Sequence, residues 1–568
     1  MEKILLNPKN IVQKYSDEET RQIMLKTIEF FEKKGLSKIK SDDQNRVWYD
    51  DFIQFQNKEQ IFARLFTPKG YGDEKSRWDT SRIVDFAEIL GFYGLAYWYT
   101  FQVSQLGLGP IFIGKNEEVK HKASKLLTEG AIFGFGLSEK EHGADLYSSD
   151  MMLYPQADGT FKANGDKYYI GNGNKGAMIS TFGKLADSGD YVFFVVNSQH
   201  EKYECVKNVI ASQSYVSEYA LHDYPITEAE ITDKGREAWD AALNTINICK
   251  FNLGWGSIGI CTHSFYEAIN HAAHRKLYNS YVTDFPQIKQ LFVDAYCRLV
   301  AMRLFALRAT DYMRSASETD RRYLLYNPMV KMKVTTQGEE VMNNLWDVIA
   351  AKGCEKDTYF EMALRDVRAL PKLEGTVHVN MALIIKFMPN YFFSPGKFPE
   401  ISQRRDAAND EFLFRQGATK GLGKIQFHDF NIAYNTVDIP NVNIFKQQIE
   451  VFKEFMMASL GSMQEQGKDI DFLLIVGELF TLVAYGQLIL ENKKIYDVED
   501  DLIDQIFDFI IRDFSKFALQ LYSKPASTEK QMEICLKMIK KPVVNTSRYE
   551  KIWTNYVYAL KDTYVMNE

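Results

Sequence analysis

The chain has 568 residues, 46% hydrophobic and 25% charged, a globular composition with length for more than one core and, by length, three or four domains. A net charge of −7, a pI of about 5.9 and the lack of any long basic run exclude nucleic acid as the expected partner. Six cysteines without a C-x-x-C pair and nine histidines without ligand spacing exclude a disulfide scaffold and a zinc site; no metal is expected, and a reducing, cytoplasmic setting is.

The opening Met1-Glu-Lys-Ile-Leu-Leu-Asn-Pro8 has too short an apolar run for a signal peptide. Ser16-Asp-Glu-Glu19 reads as a capping start, and apolar residues from Ile23 to Phe31 fall at helical spacing. Thr80 to Ser104 continues in that style. Gly114-Lys-Asn-Glu-Glu-Val-Lys120 opens another amphipathic helix that ends near Gly130. Residues 1–130 are therefore expected to form an N-terminal helical domain.

The pattern changes over 131–235. Ile132–Leu137, Phe161–Ala163, Lys167–Ile170, Ala177–Phe182 and Tyr191–Val196 are short period-two or all-apolar runs, and Asp158-Gly159 and Asn164-Gly165 are hairpin signals. A small β domain, a barrel or sandwich, is expected. Helical periodicity returns at 236: Ala242–Leu277, Gln287–Ser315 and Pro328–Ala351 suit an antiparallel four-helix bundle over 236–395. Residues 396–440 read as a linker. Lys446–Ser462, Ile470–Leu490, Val498–Leu521 and Glu529–Lys540 predict a further helical domain over 441–568. The most lipophilic of these, Ile470–Leu490, contains Asp471, Gly477, Glu478 and Gly486, so a buried helix is expected and no transmembrane segment. Asn545-Thr546-Ser547 matches a glycosylation sequon, read as fortuitous in a chain without a secretory signal. The fold class is α+β, mostly α.

Four segments carry candidate chemistry. Phe135-Gly-Leu-Ser-Glu-Lys-Glu-His-Gly-Ala-Asp145 is a strand end of small residues and a turn, which lets backbone approach a flat ring or a phosphate. Asn164-Gly-Asp-Lys-Tyr-Tyr-Ile-Gly-Asn-Gly173 offers an aromatic face to a cofactor ring. Arg275-Lys-Leu-Tyr278, late in a helix, can present a guanidinium to a pyrophosphate. In Arg365-Asp-Val-Arg-Ala-Leu-Pro-Lys-Leu-Glu-Gly-Thr376, Pro371 stops a helix and one glutamate comes next among apolar groups, where a raised pKa suits proton abstraction from carbon. Each has an ordinary alternative: a plain turn, a core aromatic, a surface arginine, a surface glutamate.

Together these segments resemble the acyl-CoA dehydrogenase superfamily over residues 1 to about 395. Ser138-Glu-Lys-Glu-His-Gly143-Ala144-Asp145 is similar to T-E-P-x-x-G-S-D. Asn164-Gly-Asp-Lys-Tyr-Tyr169-Ile170-Gly171-Asn172 is similar to N-G-x-K-x-W-I-T-N. Arg275-Lys-Leu-Tyr278-Asn279 resembles R-x-x-F-G, and Arg365-Asp366 with Leu373-Glu374-Gly375-Thr376 resembles R-D-x(6)-Y-E-G-T at the family's spacing. The resemblance implies FAD as cofactor, with Glu374 as catalytic base. It implies flavin contacts from Phe135, Leu137, Ser138, Gly143, Ala144, Tyr169, Ile170, Gly171, Arg275, Tyr278, Gly353 and Thr376, and substrate contacts from Ala144, Lys250 and Gly375. This chain departs from the pattern at Gly171, where the family has a threonine hydroxyl, and at Ala144, Tyr169, Asn279 and Lys352-Gly353-Cys354. Some relatives place the base on an earlier helix; the equivalent position near Cys249 has no carboxylate.

The same resemblance implies dehydrogenation of an acyl-CoA to the trans-2-enoyl thioester in fatty acid metabolism. Electron-transferring flavoprotein is the implied acceptor, and the implied assembly is a homodimer or tetramer in which Arg275 serves a neighbour's FAD. The alternatives are an acyl thioester on acyl carrier protein, an acyl-CoA oxidase using oxygen, and a non-catalytic binding protein on the same fold. The C-terminal extension is similar in size and position to those of very-long-chain members. Its 15 Lys and Arg against 19 Asp and Glu in residues 441–568 argue against DNA binding.

Overall fold

The computed structural model describes residues 4–143, 145–459 and 466–568, and its contacts divide the chain into two units. The first holds Lys14–Asn252, Arg405–Lys420 and Met566–Glu568. It opens with α1 (Glu18–Lys34), α2 (Leu36–Gln44), α3 (Asp50–Lys58) and α4 (Ile61–Phe66). The cap of α1 is Asp17, whose carboxylate accepts from the Thr20 N–H at 2.7 Å. Helices α5 (Thr80–Tyr93) and α6 (Leu95–Ile113) are buried almost all round, as interior helices are. Asn116 caps α7 (Glu117–Thr128).

Against α6 lies β1 (Phe133–Gly136). The approach is close enough that a Cβ on Gly107 would stand 2.5 Å from the Gly134 carbonyl oxygen. The sheet adds β2 (Met152–Pro155), β3 (Phe161–Gly171), β4 (Met178–Leu185), β5 (Tyr191–Val196), β6 (Tyr203–Asn208), β7 (Val216–Ile226) and β8 (Ile231–Lys234). Its order is β6-β7-β3-β2-β4-β5-β8, with β1 parallel to β4, so the β domain is a single eight-stranded sheet. Leu153, Ala163, Ile179, Phe194, Leu221 and Ile226 form its core.

Asp158-Gly159 does turn the β2–β3 hairpin. Asn164-Gly165 does not turn: it runs on within β3, where the Asn164 amide bonds the Asp223 carboxylate on β7 (2.9 Å), and the extra residue of the bulge at this point lies in β7, with Asp223 left-handed at φ 52°. Helix α8 (Gly235–Cys249) comes after β8. The single helix expected over Ala242–Leu277 is two, because the Gln102 amide captures the Cys249 carbonyl at 3.0 Å where α8 ends. Part of the expected linker is built into this unit. Asn409 and Asp410 accept from the N–H groups of Trp78 and Thr80 (2.9 and 2.7 Å).

The second unit holds Met1–Gln13, Leu253–Arg404 and Gly421–Val565. Its bundle comprises α9 (Asn252–His274), α10 (Pro286–Arg314), α11 (Tyr323–Met329), α12 (Thr335–Ile349), α13 (Tyr359–Val367), α14 (Val377–Ile384) and α15 (Met388–Phe393). A π-helical turn, Val330–Val334, joins α11 to α12. Then come α16 (Asn431–Tyr434), α17 (Pro440–Ala458), α18 (Ile470–Ile495), α19 (Asp500–Tyr522), α20 (Glu529–Met538) and α21 (Thr546–Ile552). Leu460 to Ser462, expected to finish α17, lie outside the described residues.

The C-terminal helices are pinned to α10 by ion pairs. Arg298 forks onto Asp513 of α19 (2.8 and 3.0 Å), and Arg308 reaches Glu491 of α18 (2.7 Å). Burial opposes the Asp513 charge, but Arg298 beside it holds the carboxyl down to about 2. By length and composition α18 is apolar enough to cross a membrane, yet 78% of its apolar window is buried among these helices. Asn545 of the sequon caps α21, its side chain accepting from the Arg548 N–H at 3.0 Å.

Candidate active-site residues

In the first unit the two glycine-rich motifs are stitched together. The Ser138 hydroxyl, expected on a heterocycle, donates to the Tyr168 carbonyl (2.7 Å), and the Tyr168 N–H donates to the Ser138 carbonyl (3.0 Å). A second stitch is ionic. Lys167, fully buried, donates to the Glu139 carboxylate (2.7 Å) and to the Leu137 carbonyl (3.0 Å), while Glu139 also accepts from the Ser149 hydroxyl (2.6 Å) and the Asp150 N–H (2.7 Å). Burial pushes the Lys167 ammonium down to about 8, against the pull of Glu139. Burial acts against the Glu139 charge too, but Lys167 and the donors around it keep its carboxyl below the usual range. Gly143 closes the turn, its N–H donating to the Glu139 carbonyl (2.8 Å), and Ala144 lies outside the described residues.

Beyond Lys167 a bulge in β3 itself sets the aromatic presentation. Tyr169 takes the left-handed conformation (φ 64°), and 60% of its surface is exposed. Ile170 points into the core. Gly171 has no room for a side chain: a Cβ would stand 2.6 Å from Val103 Cγ2 and 2.7 Å from Tyr99 Cε1. The absent threonine hydroxyl thus has a steric cause in α6. Asn172, also left-handed (φ 58°) and fully buried, donates to the carbonyls of Phe133 (2.8 Å) and Thr100 (3.2 Å) and accepts from the Thr100 hydroxyl (3.0 Å). Phe135, Leu137, Ser138, Gly143, Tyr169, Ile170 and Gly171 therefore converge on the end of β1 and the bulge of β3. Lys250 stands apart at the C-terminus of α8, 5% exposed.

In the second unit Arg275 is not within a helix as expected. Helix α9 ends at His274, and Lys276–Leu277 pairs with Ser280–Tyr281. Tyr278 and Asn279 make the left-handed turn of this hairpin (φ 53° and 64°), and Tyr278 is 93% exposed. Burial, then the Arg275 and Lys352 cations, lower the pKa of His271 on the last turn of α9, and Lys352 belongs to the 3₁₀ turn Ala350–Cys354. Gly353 packs there against Ile349, Phe360 and Trp346.

Glu374 is on a separate turn. After α13, the 3₁₀ turn Leu370–Lys372 carries Pro371, and then Glu374 (φ 50°) and Gly375 (φ 85°) are both left-handed. Such a conformation costs a non-glycine residue about 1–3 kcal/mol and persists only where its surroundings impose it. Thr376 caps α14, its hydroxyl accepting from the Val379 N–H. Two side chains that the motifs do not flag hold the turn. Lys331 donates to the carbonyls of Pro371 (2.7 Å) and Gly375, and Asn380 donates to those of Gly375 and Thr376 (3.0 Å each). The available signal for Lys331 is its place inside the apolar stretch Pro328-Met-Val-Lys-Met332.

Residues 237–388 match the family described as acyl-CoA dehydrogenase, C-terminal domain. A 3-(aryl)acrylate reductase of Clostridium sporogenes is 24% identical over 340 residues, 57% of this chain and 86% of that protein. Two solved structures are similar in fold. An acyl-CoA dehydrogenase of Bacillus anthracis complexed with FAD has a TM-score of 0.75 at 16% identity, covering 99% of this chain and 97% of its own. Butyryl-CoA dehydrogenase of Megasphaera elsdenii has a TM-score of 0.58 at 16% identity, covering 66% of this chain and 98% of its own. The chain thus has the fold of the acyl-CoA dehydrogenase superfamily, N-terminal helices, β domain and helical bundle, with an additional C-terminal helical region.

Proposed function

We propose that this protein is an FAD-dependent oxidoreductase that removes the α- and β-hydrogens of an acyl thioester, with Glu374 as the base. The observation that carries the reading is the Glu374 turn: one carboxylate, at the family's spacing from Arg365-Asp366, held in a conformation that its sequence alone disfavours. The β domain fits a flavin. It presents the outward Tyr169 ring at a bulge, next to a strand end of small residues, as a face on which a flat heterocycle can pack. Bound FAD would supply the two-electron acceptor for the β-hydrogen.

The protein's own task is the α-proton. That proton is far too weakly acidic for a carboxylate in water, so the thioester oxygen must be hydrogen-bonded as charge develops on it. The Glu374 N–H is the group that the resemblance assigns to this task. Glu374 then takes the proton at short range, and geometry dominates the rate. Arg275 and Tyr278, on an exposed hairpin, suit contact with the cofactor of a second copy in a dimer or tetramer. Electron-transferring flavoprotein or oxygen would reoxidise the flavin, and the carrier would be CoA or acyl carrier protein.

A second reading has its own support. The Clostridium relative is named a 3-(aryl)acrylate reductase, and the same carboxylate could deliver a proton to the α-carbon in the reductive direction. Both readings meet one experiment: anaerobic titration of the FAD-loaded protein with saturated thioesters on CoA and on acyl carrier protein, and of the reduced protein with enoyl and arylacryloyl thioesters. Bleaching by a saturated series supports dehydrogenation, and reoxidation only by an unsaturated series supports reduction. No response to any of them, with FAD bound, overturns both. Glu374→Gln should keep FAD and ligand binding while the reduction rate falls about 10³-fold. A near wild-type rate would place the base elsewhere.

A further inference from the structure

We infer that Lys331 is the positioning residue of the Glu374 turn, its buried ammonium clamping the two carbonyls that bracket the base; this rests on the thioester reading for the role of Glu374. Lys331 lies in the π-helical turn between α11 and α12, in the run Val330-Lys-Met-Lys-Val334. It is fully buried, and its Nζ donates to the Pro371 carbonyl at 2.7 Å and to the Gly375 carbonyl. Those carbonyls lie on either side of Leu373-Glu374, so one cation ties both ends of the turn.

The chemistry suits the task. An ammonium is a compact charge with three N–H donors that can diverge, whereas a guanidinium offers a planar fork better matched to one carboxylate. Charge-assisted bonds to carbonyls are about twice as strong as neutral ones. Asn380 meets the Gly375 carbonyl from α14 and closes the clamp from its other side.

The helix is altered to aim this side chain. In the π-turn the hydroxyl of Thr335 donates to the Lys331 carbonyl, and that of Thr336 donates to the Met332 carbonyl (3.0 Å). Gly254 of α9 makes room: a Cβ there would stand 2.8 Å from the Val330 carbonyl oxygen. Extra helical residues of this kind recur at functional sites. The bland reading is that Lys331 is a structural cation whose loss merely loosens the bundle.

The experiment compares Lys331→Met, Lys331→Gln and Lys331→Arg with wild type. Hydrogen exchange is measured on peptides spanning 369–380 and on the rest of the bundle, alongside single-turnover flavin reduction. Lys331→Met should raise exchange across the turn about tenfold, with helices α10 and α12 near wild type. Its kcat should fall about 100-fold, as expected when a reacting group is misplaced by about 1 Å, with KM within about threefold. Lys331→Arg should recover part of both. Unchanged exchange at the turn, or exchange raised equally throughout the bundle, would overturn the inference. Should Lys331→Met not fold, exchange at the turn must rise from wild type through Arg to Gln; equal exchange in all three overturns the inference as well. If wild-type flavin answers to no thioester, the thioester reading fails, and the exchange data still decide whether Lys331 holds the turn.

Discussion

Of the turns that hold non-glycine residues in the left-handed region beside candidate active-site groups, those at Asn172 and Glu374 are held in opposite ways. In the β domain, Asn172 keeps its own conformation with a neutral amide that satisfies three buried partners from α6 and β1. In the bundle, the backbone around Glu374 is restrained from outside: Lys331 and Asn380 bond its flanking carbonyls from neighbouring helical segments. The contrast reflects what each side chain must do. Asn172 has no task but the turn, so it can be its own anchor. On the proposed reading the Glu374 carboxylate is reserved for a proton, and its turn is held through the backbone.

Three substitutions sharpen the comparison. The largest effect is expected where charge, and not only shape, joins two motifs of the β domain. Lys167→Met should cost about 3–5 kcal/mol by leaving Glu139 as an uncompensated buried carboxylate, and pairing it with Glu139→Gln should return most of that loss. Chemical unfolding of the two single variants and the double variant measures the coupling; additive losses would mean that the pair is not what joins the motifs. Next comes Asn172→Ala, which strands the Thr100 and Phe133 groups and should cost about 2–3 kcal/mol. If it proves as mild as a surface change in thermal unfolding, the amide is not the anchor. The smallest effect is expected from Gly171→Thr, the restoration of the family hydroxyl. Overpacking against Val103 and Tyr99 should cost about 1–3 kcal/mol. Adding Val103→Ala should relieve it. No relief in the double variant would show that the obstruction is not the side chain of Val103.

Much of this arrangement can be read from the sequence, and the exceptions have physical reasons. The helix–sheet–helix order is legible in the periodicity, and Tyr191–Val196 emerges as a strand with those bounds because its all-apolar run is broken at both ends. Asn164-Gly165 looks like a hairpin locally and is continuous strand opposite a bulge in β7, because the strand's fate is decided by Asp223, a partner 59 positions away. Helices α8 and α9 look like one, because a side chain of α6 breaks them. Glu374 is legible through its motif. Lys331 is legible only as a lysine inside an apolar stretch, because which carbonyls it meets is decided by the fold. The steric origin of Gly171 is equally invisible: the missing hydroxyl can be read from the motif, but Val103 and Tyr99 emerge as its cause only in the packing.

The π-turn between α11 and α12 is one residue too long for a regular helix. Deleting a residue from Val330–Val334 would repair the backbone ladder, and it would rotate everything before it by about 100° relative to α12. Selection for helix stability alone would favour the repair. The extra residue therefore sets two demands on one segment against each other, a well-formed helix and a correctly aimed lysine, and changes of length here should divide soluble expression from turnover more cleanly than changes of side chain.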